Sequence, residues 1–149
     1  MKQKVTDANY ISLKVSSNHY PASLEVYEMV KLIKDYIREK GGEENDSPIL
    51  NIHTEDSVKF ETMVAIETKQ EVAGNEKFKV KKMVIGNMLV AEVKGGNYII
   101  IEGENELKNY ISDYKKTSPA IPFQKLVTNR LLEPDTAKWV TKLYYPIFN

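Results

Sequence analysis

The sequence contains no cysteine and only two histidines among its 149 residues. Thiol catalysis, disulfide bonds and thiolate metal sites are therefore excluded, and we expect no cofactor. The charges also balance, because 21 lysine and arginine residues are matched by 21 aspartate and glutamate residues. Duplex nucleic-acid binders need an excess of cations to contact phosphates, so this balance argues against direct nucleic-acid binding.

Long apolar runs are missing as well. No stretch approaches the roughly 20 apolar residues that a membrane-spanning helix requires. The first seven residues lack the apolar core of a signal peptide. We therefore expect a cytoplasmic protein that does not enter a membrane. The G-x-S-x-G turn of hydrolases and the glycine-rich phosphate loop are also absent, since Gly95-Gly96 indicates only a turn.

The chain does contain an internal repeat. The matching segments are 60–66 with 139–145, 15–20 with 93–98, and 33–37 with 107–111, at separations of 79, 78 and 74 residues. Three matches in the same order indicate a duplicated small domain rather than a solenoid, which needs at least three repeats. Chance similarity of short amphipathic segments is the alternative. We predict one domain over residues 1–149, with pseudo-repeats at about 10–67 and 78–147.

Each half of the chain predicts a strand, a helix and two further strands. The predicted strands are 10–15, 48–53, 60–67, 88–93, 123–126 and 139–147. The predicted helices are 23–40, with Ser23 as N-cap and Gly41-Gly42 as the glycine stop, and 103–116. The lysine-rich segment 69–82 predicts an exposed edge strand or a long hairpin loop. Residues 98–101 either form a hairpin arm or lead into the helix. Two such halves place two helices on one side of an antiparallel sheet, which is an α+β fold.

The order of motifs in the chain resembles the GyrI-like family. The residues that carry the resemblance are 93–98 (VKGGNY), Pro122-Phe123 and 139–147 (WVTKLYYPI). These proteins are the effector-binding domains of bacterial multidrug-sensing transcription regulators, and they are more distantly similar to the SOUL haem-binding proteins. The resemblance covers about residues 10–147 and implies two strand-helix-strand-strand modules. It also implies a groove between the modules that binds flat, lipophilic molecules.

The resemblance further implies a stand-alone form. In full-length regulators a helix-turn-helix module precedes this domain, whereas about nine residues precede the first predicted strand here. We therefore expect no DNA-binding domain. The chain departs from the family pattern at three positions. Many members carry glutamates where this chain has Gln124 and Lys142, and a tyrosine where it has Leu126. The missing acids argue against a simple preference for cations.

Strand alternation and the repeat predict the residues of the groove. Lys142 shares a face with Tyr144, and the repeat maps Lys142 onto Met63 and Val140 onto Glu61. The family match adds Gln124 and Leu126 to this face, and the tyrosines before the two helices either flank the cleft or pack in the core or at its rim. The predicted ligand-binding residues are Tyr20, Glu61, Met63, Tyr98, Gln124, Leu126, Trp139, Lys142 and Tyr144.

The charges of the predicted pocket suggest its ligand class. An isolated buried charge is costly, so we expect Glu61 and Lys142 to compensate each other. A mainly neutral, aromatic pocket of this kind favours neutral or zwitterionic planar ligands over plain cations.

Two functions fit the sequence. The first is a non-catalytic binder of lipophilic, planar, drug-like molecules that senses or sequesters its ligand. The second is a hydrolase of reactive, cyclopropane-containing xenobiotics, with Glu61 or Glu92 as the acid and tyrosines as donors. The missing acids favour binding over catalysis. A third interpretation is a groove filled by its own side chains that serves as a protein interface, and a homodimer or a separate regulator protein stays open as a partner.

Overall fold

The computed structural model describes residues 2–5, 8–54, 58–83, 86–113 and 122–147. The chain divides into two compact units, a first unit of Asp7–Met83 and a second unit of Met1–Thr6 with Val84–Asn149. The elements are β1 (Lys2–Val5), β2 (Ala8–Ser17), α1 (Ser23–Glu39), β3 (Glu44–Thr54), β4 (Phe60–Thr68), β5 (Lys79–Met83), β6 (Gly86–Lys94), α2 (Asn97–Asp113), β7 (Phe123–Leu126), a short 3-10 helix (Thr136–Lys138) and β8 (Val140–Ile147). The antiparallel pairing of the strands and the two helices confirm the predicted α+β class.

The sheet of the first unit has the strand order β3-β4-β2-β5, and α1 packs on one of its faces. On this face Ile11 lies opposite Ile66, and both Leu13 and Leu50 lie opposite Val64. The helix residues that bury against it recur every three or four positions, as an amphipathic helix requires. They are Val26, Val30, Ile33 and Ile37. The first helix was therefore predictable from its spacing alone.

Specific contacts define the two ends of α1. The N-cap is Ala22, not Ser23 as the sequence predicted. Ala22 has no side-chain acceptor, so the carboxylate of Glu25 reaches back and accepts the Ala22 N–H at 3.0 Å. At the other end Gly41 adopts a φ of 77°, and the N–H of Gly42 donates to the Ile37 carbonyl at 2.9 Å. The predicted glycine stop is confirmed.

The sheet of the second unit has the strand order β1-β6-β8-β7, and α2 packs on one of its faces. Its core consists of Leu89, Ile100, Leu107, Leu143 and Tyr145. Gly103 brings α2 close to the strands, because a Cβ there would lie 2.8 Å from both the Leu143 and the Val93 side chains. A larger residue at this position would push the helix away from the sheet.

The start of the second helix and the first strand differ from the sequence-based prediction. The second helix begins at Asn97 rather than 103, because Ile100 turns into the core and extends the helical face toward the Gly95-Gly96 turn. The predicted end of that helix, 114–116, lies outside the described residues. Strand β1 was not predicted, whereas β5 is the edge strand proposed for the lysine-rich segment. In the part of the chain that the structure describes, no helix is long and apolar enough to cross a membrane.

Candidate functional site

The second unit presents a row of chemically distinct side chains on the sheet face that points away from α2. Leu143 and Tyr145 of β8 belong to the core beneath α2. Because successive residues of a strand alternate between faces, the residues next to them on β8, and the residues paired with those neighbours, point the other way. We call this the distal face of the second unit. Its residues are Met88, Val90, Glu92 and Lys94 on β6, Phe123 and Lys125 on β7, and Val140, Lys142 and Tyr144 on β8.

Two cross-strand rows organise this distal face. In the first row Phe123 lies opposite Tyr144, and their rings stack with centroids 4.9 Å apart and planes 10° apart. In the neighbouring row Lys125 lies opposite Lys142, which lies opposite Glu92 on the other side. The Lys125 ammonium stands over the Tyr144 ring, 5.3 Å from its centroid. The face therefore combines a flat aromatic surface with two neighbouring cations.

The solvent exposure of these residues shows which side chains a ligand can reach. Tyr144 is only 5% exposed, whereas Phe123, Lys125 and Lys142 are half-buried. Tyr144 therefore supports the Phe123 ring from within, and the three half-buried side chains are the ones that a ligand can reach. The sequence analysis identified Lys142 and Tyr144 but did not identify Phe123 and Lys125 as members of this face.

The prediction that Gln124 and Leu126 share this face is wrong. The strand register places Gln124 opposite Leu143 and Leu126 opposite Thr141, so both point toward α2. Strand alternation put one of Phe123 and Gln124 on each face, but only the pairing with β8 decides which one accompanies Lys142. Gln124 is 8% exposed, and its Oε1 atom has no hydrogen-bond partner among the described residues.

Trp139 lies just before β8 and contacts the loop that connects β7 to β8. Its Nε1–H donates to the Glu133 carbonyl at 3.0 Å, and the Arg130 guanidinium lies 5.0 Å from its ring centroid. Arg130 also donates to the Thr141 hydroxyl at 2.9 Å. These contacts give the buried indole a packing role, and Arg130 is a partner that the sequence analysis did not identify.

The first unit has an equivalent distal face, the one that points away from α1. Glu61, Met63 and Ala65 lie on it, since Val64 and Ile66 face the helix. The Glu61 carboxylate lies 3.3 Å from the ammonium of Lys14 on the neighbouring strand. Its charge therefore has a partner within its own unit, and the pairing with Lys142 stays a prediction.

The two repeated tyrosines are both exposed. Tyr20 is 53% exposed and contacts Phe60 edge to face, with ring centroids 5.8 Å apart. Tyr98 is 72% exposed in the first turn of α2. Neither tyrosine is a core residue, so core packing does not hold for them, whereas packing at the rim stays open. Their role as ligand contacts stays a prediction.

Two groups of the second unit have shifted pKa values, Glu104 on α2 and Tyr145 on the strand face that packs against α2. Neither lies on the distal face. Burial raises the pKa of Glu104, although the nearby Lys108 charge opposes the shift. Burial, together with the negative charge of Glu104, raises the pKa of Tyr145 to about 12. These shifts report packing between α2 and the sheet. Within the described ranges, no group of three histidine or acidic residues is arranged to hold a metal ion.

By sequence, neither a protein-family model nor a curated protein matches this chain. By structure, it is similar to the C-terminal domain of EcmrR, with a TM-score of 0.82, 10% identity and coverage of 100% of this chain and 96% of that one. This chain shares that fold. Against the EcmrR chain seen in a DNA complex, it spans only 56% of the length.

Two further structures share the fold. SAV2435, solved with bound tetraphenylphosphonium, has a TM-score of 0.62 at 13% identity, covering 100% of this chain and 93% of that one. A Listeria innocua protein described as a hydrolase has a TM-score of 0.70 at 10% identity, covering 99% and 91% of the two chains. At such low identity the likeness concerns the fold alone.

Proposed function

We propose that this chain binds a small, planar, lipophilic molecule and acts as a sensor of that molecule or as a protein that sequesters it. The stacked pair of Phe123 and Tyr144 on the distal face of the second unit carries the proposal. Two stacked rings, one of them half-buried, offer a flat apolar surface on which an aromatic ligand can pack. The ligand contacts we propose on this face are Phe123, Lys125 and Lys142, and Tyr144 supports the ring of Phe123.

Proteins of the same fold support a role in ligand binding. SAV2435 was solved with a bound aromatic ion, and the EcmrR domain belongs to a protein that was solved in complex with DNA. Among the other predicted residues, Glu61 and Met63 on the distal face of the first unit stay proposed contacts, together with the exposed Tyr20 and Tyr98. Trp139, Gln124 and Leu126 are buried in the second unit and are not ligand contacts in this proposal.

A hydrolase is the second candidate, because the Listeria innocua protein carries that description. The placement of the two candidate acids does not favour it. Glu61 is engaged by Lys14, and Glu92 is exposed to solvent. Neither lies in the desolvated environment that a carboxylic acid needs to donate a proton near neutral pH. Binding without turnover is therefore the better-supported function.

A dye-binding titration tests the proposal. We expect planar aromatic dyes to bind the purified chain, to raise its melting temperature and to be recovered chemically unchanged. Phe123→Leu keeps the apolar bulk but removes the flat ring, and we expect it to weaken binding by about tenfold. Phe78→Leu is the matched control, because Phe78 stacks on Tyr36 in the first unit at a centroid distance of 4.3 Å. If no planar dye binds, or if both variants bind like the wild type, the proposal is wrong.

A further inference from the structure

The distal face of the second unit carries more positive than negative charge. Among the described side chains of this face, three lysines, Lys94, Lys125 and Lys142, stand beside one acid, Glu92. Lys125 and Lys142 are half-buried beside the aromatic pair, whereas Glu92 is exposed. An exposed charge is hydrated and screened by salt, so the half-buried ammonium groups dominate the field that a ligand on this face experiences.

Lys142 forms no ion pair with a described acid of its own unit. Glu92 is its cross-strand partner, yet among the described residues of the second unit no carboxylate lies within 4.0 Å of the Lys142 ammonium. Glu61, the partner that the sequence predicted, has Lys14 at 3.3 Å. A ligand carboxylate could therefore supply the charge-assisted contact that Lys142 lacks.

The aromatic surface that would attract a cationic ligand is already used by the protein. The Lys125 ammonium stands over the Tyr144 ring, and Phe123 stacks against the same ring. The electron-rich face of an aromatic ring attracts one cation favourably. A second cation at this place meets the positive charges of Lys125 and Lys142 instead, which repel it.

From these observations we infer that the distal face of the second unit selects planar aromatic anions. The ring system of the ligand packs on Phe123, and its carboxylate or sulfonate contacts the ammonium groups of Lys125 and Lys142. This inference rests on the proposed function and narrows its ligand class. It differs from the neutral or zwitterionic ligand expected from the sequence, because Glu61, on which that expectation depends, already has Lys14 as a partner in its own unit.

Three dyes that share one ring system test the charge preference directly. Pyrenecarboxylate, pyrenemethanol and pyrenemethylammonium differ in charge but present the same flat surface, and their fluorescence reports binding. We expect the anion to bind about tenfold more tightly than the neutral alcohol, and the cation to bind most weakly. Raising the salt concentration should weaken binding of the anionic dye but not of the alcohol, because salt screens charge interactions and not apolar contacts.

Charge-removing variants locate the anion contact. Lys142→Gln and Lys125→Gln should each weaken pyrenecarboxylate binding by about threefold to tenfold and leave pyrenemethanol unchanged. Lys125→Gln should in addition improve binding of the cationic dye, because it frees the Tyr144 ring. Lys31→Gln removes the same charge from an exposed position on α1 of the first unit and should leave all three affinities unchanged.

The outcomes separate this inference from the proposed function. If the alcohol or the cation binds the wild-type chain as tightly as the anion, the inference is overturned while small-molecule binding stands. The same holds if neither lysine variant weakens anion binding. If none of the three dyes binds, the proposed function fails and the inference fails with it. The salt dependence of the wild type decides the question even if a variant does not fold.

Discussion

The two units place different charges at equivalent positions of the repeat. On the distal face of the first unit, the repeat positions of Val140 and Lys142 are taken by Glu61 and Met63. Glu61 is paired with Lys14 at 3.3 Å within the first unit, whereas no described acid of the second unit forms an ion pair with Lys142. The equivalent positions therefore differ both in charge and in local ion pairing.

Positions that face the helices differ much less. Thr62 and Thr141 occupy equivalent places in the repeat, and both are buried, at 3% and 0% exposure. Their neighbours Val64 and Leu143 both pack toward the helix of their own unit. Packing against a helix constrains size and polarity at every such position. On the distal faces Glu61, Met63, Val140 and Lys142 are only half-buried, so these positions can differ in charge without changing the fold.

The largest expected effect is a difference in stability between substitutions on the two faces of β8. Leu143→Ala removes a fully buried side chain and should lower the free energy of unfolding by about 3 kcal/mol. Lys142→Ala changes the adjacent residue on the distal face and should alter it by less than about 1 kcal/mol. Urea denaturation of both variants measures the difference. Equal effects would contradict the assignment of the two faces.

Gly103 tests how closely α2 must approach the sheet. A Cβ at this position would lie 2.8 Å from Leu143 and Val93, so Gly103→Ala should destabilise the chain by about 1–2 kcal/mol despite the higher helix propensity of alanine. Gly96→Ala is the matched control, because its Cβ would meet Thr136 at an ordinary 3.4 Å. If thermal unfolding shows Gly103→Ala to be stabilising, the helix has room to move and the close approach is not required.

Gln124→Leu tests which face of β7 carries Gln124. The buried Oε1 of Gln124 has no hydrogen-bond partner in the ranges that the structure describes, so an apolar side chain of similar size should stabilise the chain by about 1 kcal/mol. Because Gln124 points toward α2, the change should leave dye affinity unaltered. A large loss of dye binding at unchanged stability would show that Gln124 lies on the distal face instead.

The smallest expected effect concerns the start of α1. The Ala22 N–H and then His19 hold the pKa of Glu25 below its usual value of 4.5. A lowered pKa in the folded state means that the ionised carboxylate stabilises the fold above the unfolded value, and that this contribution is lost as the pH falls through the folded value. The first turn of α2 contains no acid, so the second unit lacks this contribution.

A pH series of melting temperatures measures this effect. Glu25→Gln should lower the melting temperature at neutral pH, and its difference from the wild type should shrink as the pH falls below 4.5. Glu28→Gln, an exposed change on the same helix, controls for the loss of one charge. A difference that is constant from neutral to acidic pH would show that the carboxylate acts through something other than its ionised form.

Local patterns determined much of this fold. The spacing of apolar residues predicted α1 and its glycine stop, and alternation predicted β2, β4 and β8, because these periods follow from the geometry of a single helix or strand. The repeat predicted the same element order in both halves. It also indicated correctly that residues 98–101 could belong to the second helix, although the spacing alone could not choose between a helix and a hairpin arm.

Tertiary structure decided how those elements meet. Alternation put Phe123 and Gln124 on opposite faces, but only the register of β7 against β8 placed Phe123 beside Tyr144 and Lys125 beside Lys142. In the same way, the pairing of β2 with β4 gave Glu61 its partner Lys14, which lies 47 positions earlier in the chain. Register depends on contacts between distant segments, and a slip by one residue exchanges the two faces of a strand. The charge of the candidate site is therefore a property of strand pairing, which no local pattern in the sequence records.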